Sequence, residues 1–515
     1  MSRTKNAFTN ASYISLFYIA NIIISLFTRK LVIKYIGIEF AGLNGTLSNI
    51  IGFLSLAELG ISSSVIYRLY APLNDRDDQT VSRIISVLVF YYRKVGLLIA
   101  GGAVGVGLFF PYMFKSSHLS PAIIYLTFGV SVFTSAAGYL LNAKQLIFFA
   151  DQKSYQQLAI SNSVTIGKSL IQIVVLSQLK NGVYEYLLLE LGATIVISVL
   201  INAKINTQYP WLNSTYKDGG RERRNLRYIR KDAIQIFSHQ FASFVLTQTD
   251  QLFILAFTTL KTVGIYSNYL MLIQRISGLT IQALNGSTAS VGNLISSGDA
   301  KRINQVYWEL TVLRVWIGAS IIFPLACLTN FFIQLWLGKE LIMPGPIYTF
   351  MLVNTFILLT RQTNDSFLTC YGLFSDIKAP WIEAALNVIF SVYLGRKYGI
   401  WGIVAGTTIS LIPIIVIWKP YFLFTKGFGI SPSLYFFRFS KLVLLSATAG
   451  ALLYIPVKHL MLMLTPNWIN FIYLSSASFF SYALLLFLFL FLSDNAARSL
   501  LLRNRTMFTS FKFKL

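Results

Sequence analysis

Apolar runs of roughly 20 residues recur along almost the whole chain, and that is the length an α-helix needs to cross the hydrocarbon core of a bilayer. Inside lipid the backbone N–H and C=O groups have no water to bond, so each run must satisfy them within itself, which a helix does. Dividing the 515 residues by this length yields about fourteen spans. They fall near 8–36, 43–67, 95–114, 121–147, 158–179, 184–205 and 233–258, then 264–295, 306–332, 347–374, 379–394, 400–418, 442–457 and 468–492. The expected fold class is therefore all-α: a polytopic membrane protein.

Composition supports lipid over water. Hydrophobic residues make up 55% of the chain and charged residues 12%, with a mean hydropathy of +0.62; a soluble domain needs more charge to coat its surface. The net charge of +24 would suggest a nucleic-acid partner if the cations formed one patch. Here they punctuate apolar runs, which is how membrane topology is encoded, so no nucleic acid is expected. Cys327 and Cys370 sit in apolar stretches, and His118, His239 and His459 have no neighbours at ligand spacing. Neither a disulfide framework nor a metal site is expected. The start of the chain, with Arg3 and Lys5 ahead of a long apolar run, reads as an uncleaved first helix.

Lysine and arginine also set the orientation. With the N-terminus inside, about 29 of the 43 basic residues fall on cytoplasmic segments. Both termini are then cytoplasmic. The densest cluster, Lys217, Arg221, Arg223, Arg224, Arg227, Arg230 and Lys231, lies between the sixth and seventh spans. Its plain reading is a topological anchor in a linker, and its functional reading is binding to anionic lipid headgroups. The expected organisation is a six-helix bundle at 1–206, a basic cytoplasmic linker at 207–231, a second six-helix bundle at 232–426, and two further helices with a basic tail at 427–515.

The two bundles look related. Ala57-Glu58-Leu59-Gly60-Ile61-Ser62-Ser63-Ser64-Val65 matches Ala283-Leu284-Asn285-Gly286-Ser287-Thr288-Ala289-Ser290-Val291 in small and polar positions, and Gly37-Ile38 precedes one copy as Gly264-Ile265 precedes the other. Units repeated in one orientation imply a two-fold axis along the membrane normal with a central cavity, the plan of alternating-access transporters.

Charge at depth is the next constraint. Arg29, Lys30, Lys34, Lys168, Arg275, Arg314 and Arg361 fall within spans, where each lipid-facing charge costs about 2.5–3.5 kcal/mol. Lys34 and Arg314 are placed to snorkel towards an interface. Arg361 and Asp365, four apart on one helix, are spaced to pair. Arg29 and Lys30 have no acid near them in sequence, which favours a wet cavity. A guanidinium beside an ammonium suits a diphosphate, because arginine forks onto its oxygens and lysine adds a compact charge. Arg275 would close such a site from the other bundle, and Lys168 and Arg361 complete the candidate set. Among the acids, Asp250, Glu58 and Asp365 are candidates for proton or Na+ coupling or for gating, with helix-to-helix hydrogen bonding as the structural alternative. No cofactor is expected. Aromatic residues, 15% of the chain, gather near span ends as an interfacial belt.

The series Phe27-Thr28-Arg29-Lys30-Leu31, Gly37-Ile38-Glu39-Phe40-Ala41-Gly42-Leu43, Ala57-Glu58-Leu59-Gly60-Ile61-Ser62 and Tyr67-Arg68-Leu69-Tyr70 resembles polysaccharide repeat-unit flippases. In the second half, Thr249-Asp250-Gln251-Leu252-Phe253-Ile254, Val263-Gly264-Ile265-Tyr266 and Gln274-Arg275-Ile276 are similar to the same family. The resemblance covers roughly 7–426 and belongs to the superfamily of multidrug extruders and the lipid II flippase. It implies a MATE-like pair of bundles around a cavity, and export of an oligosaccharide linked to undecaprenyl pyrophosphate, with polysaccharide polymerase machinery as a partner and no enzymatic step. Two alternatives stand beside it. A multidrug exporter of the same fold would favour an acidic cavity, which Arg29 and Lys30 oppose. A membrane glycosyltransferase or polymerase would rest on Asp75-Arg76-Asp77, which has metal-binding DxD spacing but reads more simply as a solvated loop.

Overall fold

Every regular element among the described residues is helical, as apolar runs in lipid require. The computed structural model describes residues 3–58, 60–179, 182–222, 237, 240–241, 244–285, 288–373, 376 and 378–500. They form two compact units, 1–267 and 268–515.

The first unit holds α1 (Arg3–Tyr35), α2 (Ile38–Leu54), α3 (Ile61–Asp75), α4 (Asp78–Gly107), α5 (Pro121–Leu140), α6 (Ser154–Gln178), α7 (Val183–Gln208) and α8 (Asp250–Phe257). Helix α9 (Leu260–Asn285) starts in this unit and ends in the second. The second unit continues with α10 (Thr288–Ser296), α11 (Ala300–Trp336), α12 (Gly345–Thr360), α13 (Gln362–Cys370), α14 (Lys378–Tyr398), α15 (Ile400–Leu411), α16 (Ser433–Met463) and α17 (Trp468–Ser493).

Helix starts follow from short polar side chains. Asp77 accepts a hydrogen bond from the Thr80 backbone N–H at 2.9 Å, Asp299 from that of Arg302 at 3.0 Å, and Asn467 from that of Asn470 at 2.7 Å. Each satisfies a donor that the first turn leaves open. Asp77, one acid of the DxD spacing, thus serves α4 as a cap. Large apolar side chains face outward along the helices: Ile469 is 79% exposed, Phe437 77% and Ile455 73%. Water would not tolerate such a surface, and lipid does.

Eight described helical stretches are long and apolar enough to cross a membrane: α4, α5, α6, α7, α11, Ile400–Phe428, α16 and α17. One of the remaining spans is realised as a broken helix. The second, 43–67, divides into α2, a tight turn at Ser55–Glu58, and α3, with Gly60 in the left-handed region at φ 94°. A residue with a β-carbon resists that conformation, so glycine is what permits the break. In the eighth span α9 runs to Asn285 and α10 from Thr288, with Gly286 and Ser287 outside the described residues. The first copy of the internal repeat therefore falls on a helix break, beside Leu59, which lies outside the described residues.

Of the basic linker, Arg223, Arg224, Arg227, Arg230 and Lys231 lie outside the described residues. The linker's first part forms a short helix, Tyr216–Glu222, laid on α4. Tyr216 stacks on Phe90 with centroids 5.0 Å apart, and Arg93 sits over the Tyr216 ring at 4.7 Å.

Candidate functional site

In the first unit, α1 lies along α6, and α6 along α7. Adjacent residues on a helix point about 100° apart, so Arg29 and Lys30 cannot face the same way. Arg29 turns into the unit, where its guanidinium donates to the Ser267 hydroxyl and, at 3.5 Å, to the Ala41 carbonyl. Lys30 is exposed and makes no hydrogen bond or ion pair among the described residues. Lys34 is exposed, with its ammonium 4.9 Å from the centroid of the Tyr35 ring.

Residues four apart share a helix face, and two such pairs meet here. Lys168 and Gln172 of α6 face Tyr186 and Glu190 of α7. The Lys168 ammonium is 2.7 Å from Glu190 Oε1, and the Gln172 amide donates to the same oxygen at 2.9 Å. Tyr186 stands beside both Glu190 and Arg29 and meets the edge of Phe40 at 5.7 Å. Arg29 and Lys168, 139 residues apart by position, thus enter one polar set.

Helix α2 crosses the start of α9 at backbone contact. A β-carbon on Gly42 would lie 2.1 Å from the Leu260 carbonyl oxygen, and one on Gly264 would lie 2.4 Å from that of Ile38. Ser267, which holds Arg29, is one turn along from Gly264 and donates to its carbonyl at 2.8 Å. The Gly-Ile pairs matched in the sequence therefore touch.

The acids proposed for coupling have neighbours of their own. Glu58, closing the tight turn before α3, accepts from the Ser62 N–H at 3.3 Å and from the Tyr92 hydroxyl at 3.1 Å. Asp250, buried at the first turn of α8, accepts from the Tyr266 hydroxyl at 3.2 Å.

The second unit carries a separate charged cluster. Asp365 is held by Arg361 at 3.0 Å and by Lys419 at 2.8 Å. Lys419 opens a single α-turn flanked by wider π-type stretches, Ile412–Trp418 and Leu423–Phe428. Arg314 corrects one expectation: it does not snorkel but is 3% exposed, within electrostatic reach of Asp365 and bonded to the Leu284 carbonyl at 3.4 Å. Asp365, on α13, supplies an acid within electrostatic reach there, so inward is the favourable direction for that guanidinium. Glu383, also 3% exposed, lies near Arg361 and Lys419. Arg275 is partly buried on α9 and engaged within the protein. A cavity of about 840 Å³ also opens in this unit, lined largely by apolar groups such as Phe323, Leu352, Phe356 and Tyr482 with Lys458 among them; Arg275, Arg361 and Asp365 do not line it.

Sequence reasoning did not single out Glu190, Gln172, Tyr186, Ser267 or Lys419 for the site. Helical spacing of four was the available signal for Tyr186 with Glu190 and for Lys168 with Gln172. Nothing local marked Lys419. Among the described residues no group of His, Cys, Asp and Glu side chains is placed to hold a metal ion, and both cysteines are free thiols.

No protein-family model matches the chain, and the sequence of no curated protein does so. Solved structures do. The chain is similar to the lipid II flippase MurJ in an inward closed conformation, with a TM-score of 0.61 and 18% identity over 92% of this chain and 98% of that one. It is also similar to a multidrug resistance MATE family transporter of the MOP superfamily in an inward-facing conformation, with a TM-score of 0.51 and 13% identity over 77% of this chain and 93% of that one. At these identities the likeness establishes the fold: an all-α, multi-pass membrane protein of the MATE-like type.

Proposed function

We propose that this protein is a flippase that carries oligosaccharide linked to undecaprenyl pyrophosphate from the inner to the outer leaflet of the bacterial cytoplasmic membrane by alternating access. The observation that carries the reading is the meeting of Arg29 and Lys168 in one polar set built from α1, α6 and α7. Cations at membrane depth are costly, and a diphosphate headgroup gives them a use. The polyprenyl tail can remain in lipid while the headgroup follows a wet cationic route, so no covalent step is needed. The fold shared with a lipid II flippase supports the same reading, and polysaccharide polymerase machinery would receive the exported unit.

The test is export in a strain lacking the endogenous protein. Arg29→Ala and Lys168→Ala, combined, are expected to insert normally and to lower export roughly tenfold or more, the loss of one to two charge-assisted hydrogen bonds. Lipid-linked oligosaccharide should then accumulate on the inner leaflet. Full export by the double variant, or efflux of cationic drugs without any effect on the lipid-linked pool, would refute the proposal.

A further inference from the structure

We propose that Glu190 is a resident stand-in for substrate phosphate: it occupies Lys168 in the empty protein and yields that cation when a diphosphate arrives. The inference rests on the flippase reading and names a positioning residue for it. Glu190 Oε1 receives both the Lys168 ammonium at 2.7 Å and the Gln172 amide at 2.9 Å, the two-donor arrangement that a phosphate oxygen would accept. Gln172 is 1% exposed, so its amide is held in place by its surroundings. The ion pair itself stays accessible, with side-chain exposures of 15% for Lys168 and 26% for Glu190. Tyr186 lies within electrostatic reach of both Glu190 and Arg29, which places the pair in the same charged neighbourhood.

The physical case is one of exchange. A lone ammonium at this depth is costly, and an acid beside it removes most of that cost while the site is empty. A pocket without such an acid would hold the headgroup too tightly to let go, because charge-assisted bonds to phosphate are strong. With Glu190 present, binding trades one anion for another and release is the reverse trade. Neither state leaves Lys168 bare.

The experiment uses the full chain in nanodiscs, inorganic pyrophosphate as probe, and export of lipid-linked oligosaccharide in cells. Glu190→Gln keeps the shape and the amide contact but removes the competing charge. It is expected to bind pyrophosphate about tenfold tighter and to export more slowly, while Glu190→Asp, which keeps the charge, restores both towards wild type. Unchanged affinity in Glu190→Gln, or weaker binding, overturns the proposal. A second measurement needs no variant to fold: pyrophosphate added to the wild-type protein should shift a carboxylate band in the infrared difference spectrum, and a spectrum with no carboxylate change overturns it as well. Failure of the flippase reading looks different, since the wild-type protein would then neither bind pyrophosphate nor export.

Discussion

Glu39 shows how one side chain holds a connection in place. It stands in the first turn of α2, where its carboxylate accepts from the backbone N–H of His118 at 2.9 Å, from the Ser117 hydroxyl at 3.2 Å, and meets the His118 ring at 2.8 Å. Partial burial works against its charge, but these bonds outweigh burial and hold the carboxyl below its usual value of 4.5. A carboxyl depressed on folding stabilises the fold above its unfolded value, and that contribution is lost as pH falls through the folded one. Thermal unfolding followed from pH 6 to pH 3 should therefore lose stability below about 4.5, and Glu39→Gln should flatten this part of the curve. An identical pH profile in the variant would show that the clasp contributes nothing. The same scale shows what was legible. Arg361 and Asp365 could be paired by eye because four residues bring side chains together on a helix. Lys419, which completes that cluster, lies on a different helix, and its approach depends on the path of the chain between them. Lys168 was visible as a charge at depth, but its pairing with Glu190 required knowing that α6 and α7 are neighbours.

At the scale of elements, the sequence shows where apolar helices must lie, because lipid imposes their length. It shows less well where they break. The small-residue segment at 57–65 was readable in the sequence, yet that it marks an interruption follows from Gly60 taking a left-handed conformation. The matched Gly-Ile pairs were likewise readable, while their mutual contact was not, since a glycine in a span does not announce which helix it admits. The close crossing of α2 and α9 makes a prediction. In Gly42→Ala the new carbon would meet the Leu260 carbonyl oxygen at 2.1 Å, a backbone atom that can retreat only if the helices separate. A loss of about 1–3 kcal/mol is expected, the usual cost of overpacking. Gly192→Ala, in α7 with nothing within 4 Å of the added carbon, is the control and should gain about 0.5–1 kcal/mol from helix propensity. Equal unfolding midpoints for the two variants in detergent would mean that the crossing is looser than the contact implies.

At the scale of the whole molecule, the distribution of lysine and arginine predicts which ends of the helices meet the cytoplasm. The rule works because basic residues resist transfer across the membrane during insertion, so the segments that keep them stay inside. Two exposed positions in the first unit read opposite sides on this map. His118, with a side chain 92% exposed, follows the third span and should face outward. Lys217, exposed in the short helix Tyr216–Glu222, follows the sixth and should face inward. Cys327 and Cys370 are free thiols, so both are first replaced by serine to give a background without native reactivity. In intact spheroplasts a membrane-impermeant maleimide is then expected to label His118→Cys, and to label Lys217→Cys only after permeabilisation. The reverse pattern would invert the topology and place the basic linker outside. It would also reverse the direction of the proposed export, because the face from which a headgroup reaches Arg29 and Lys168 is fixed by the same orientation.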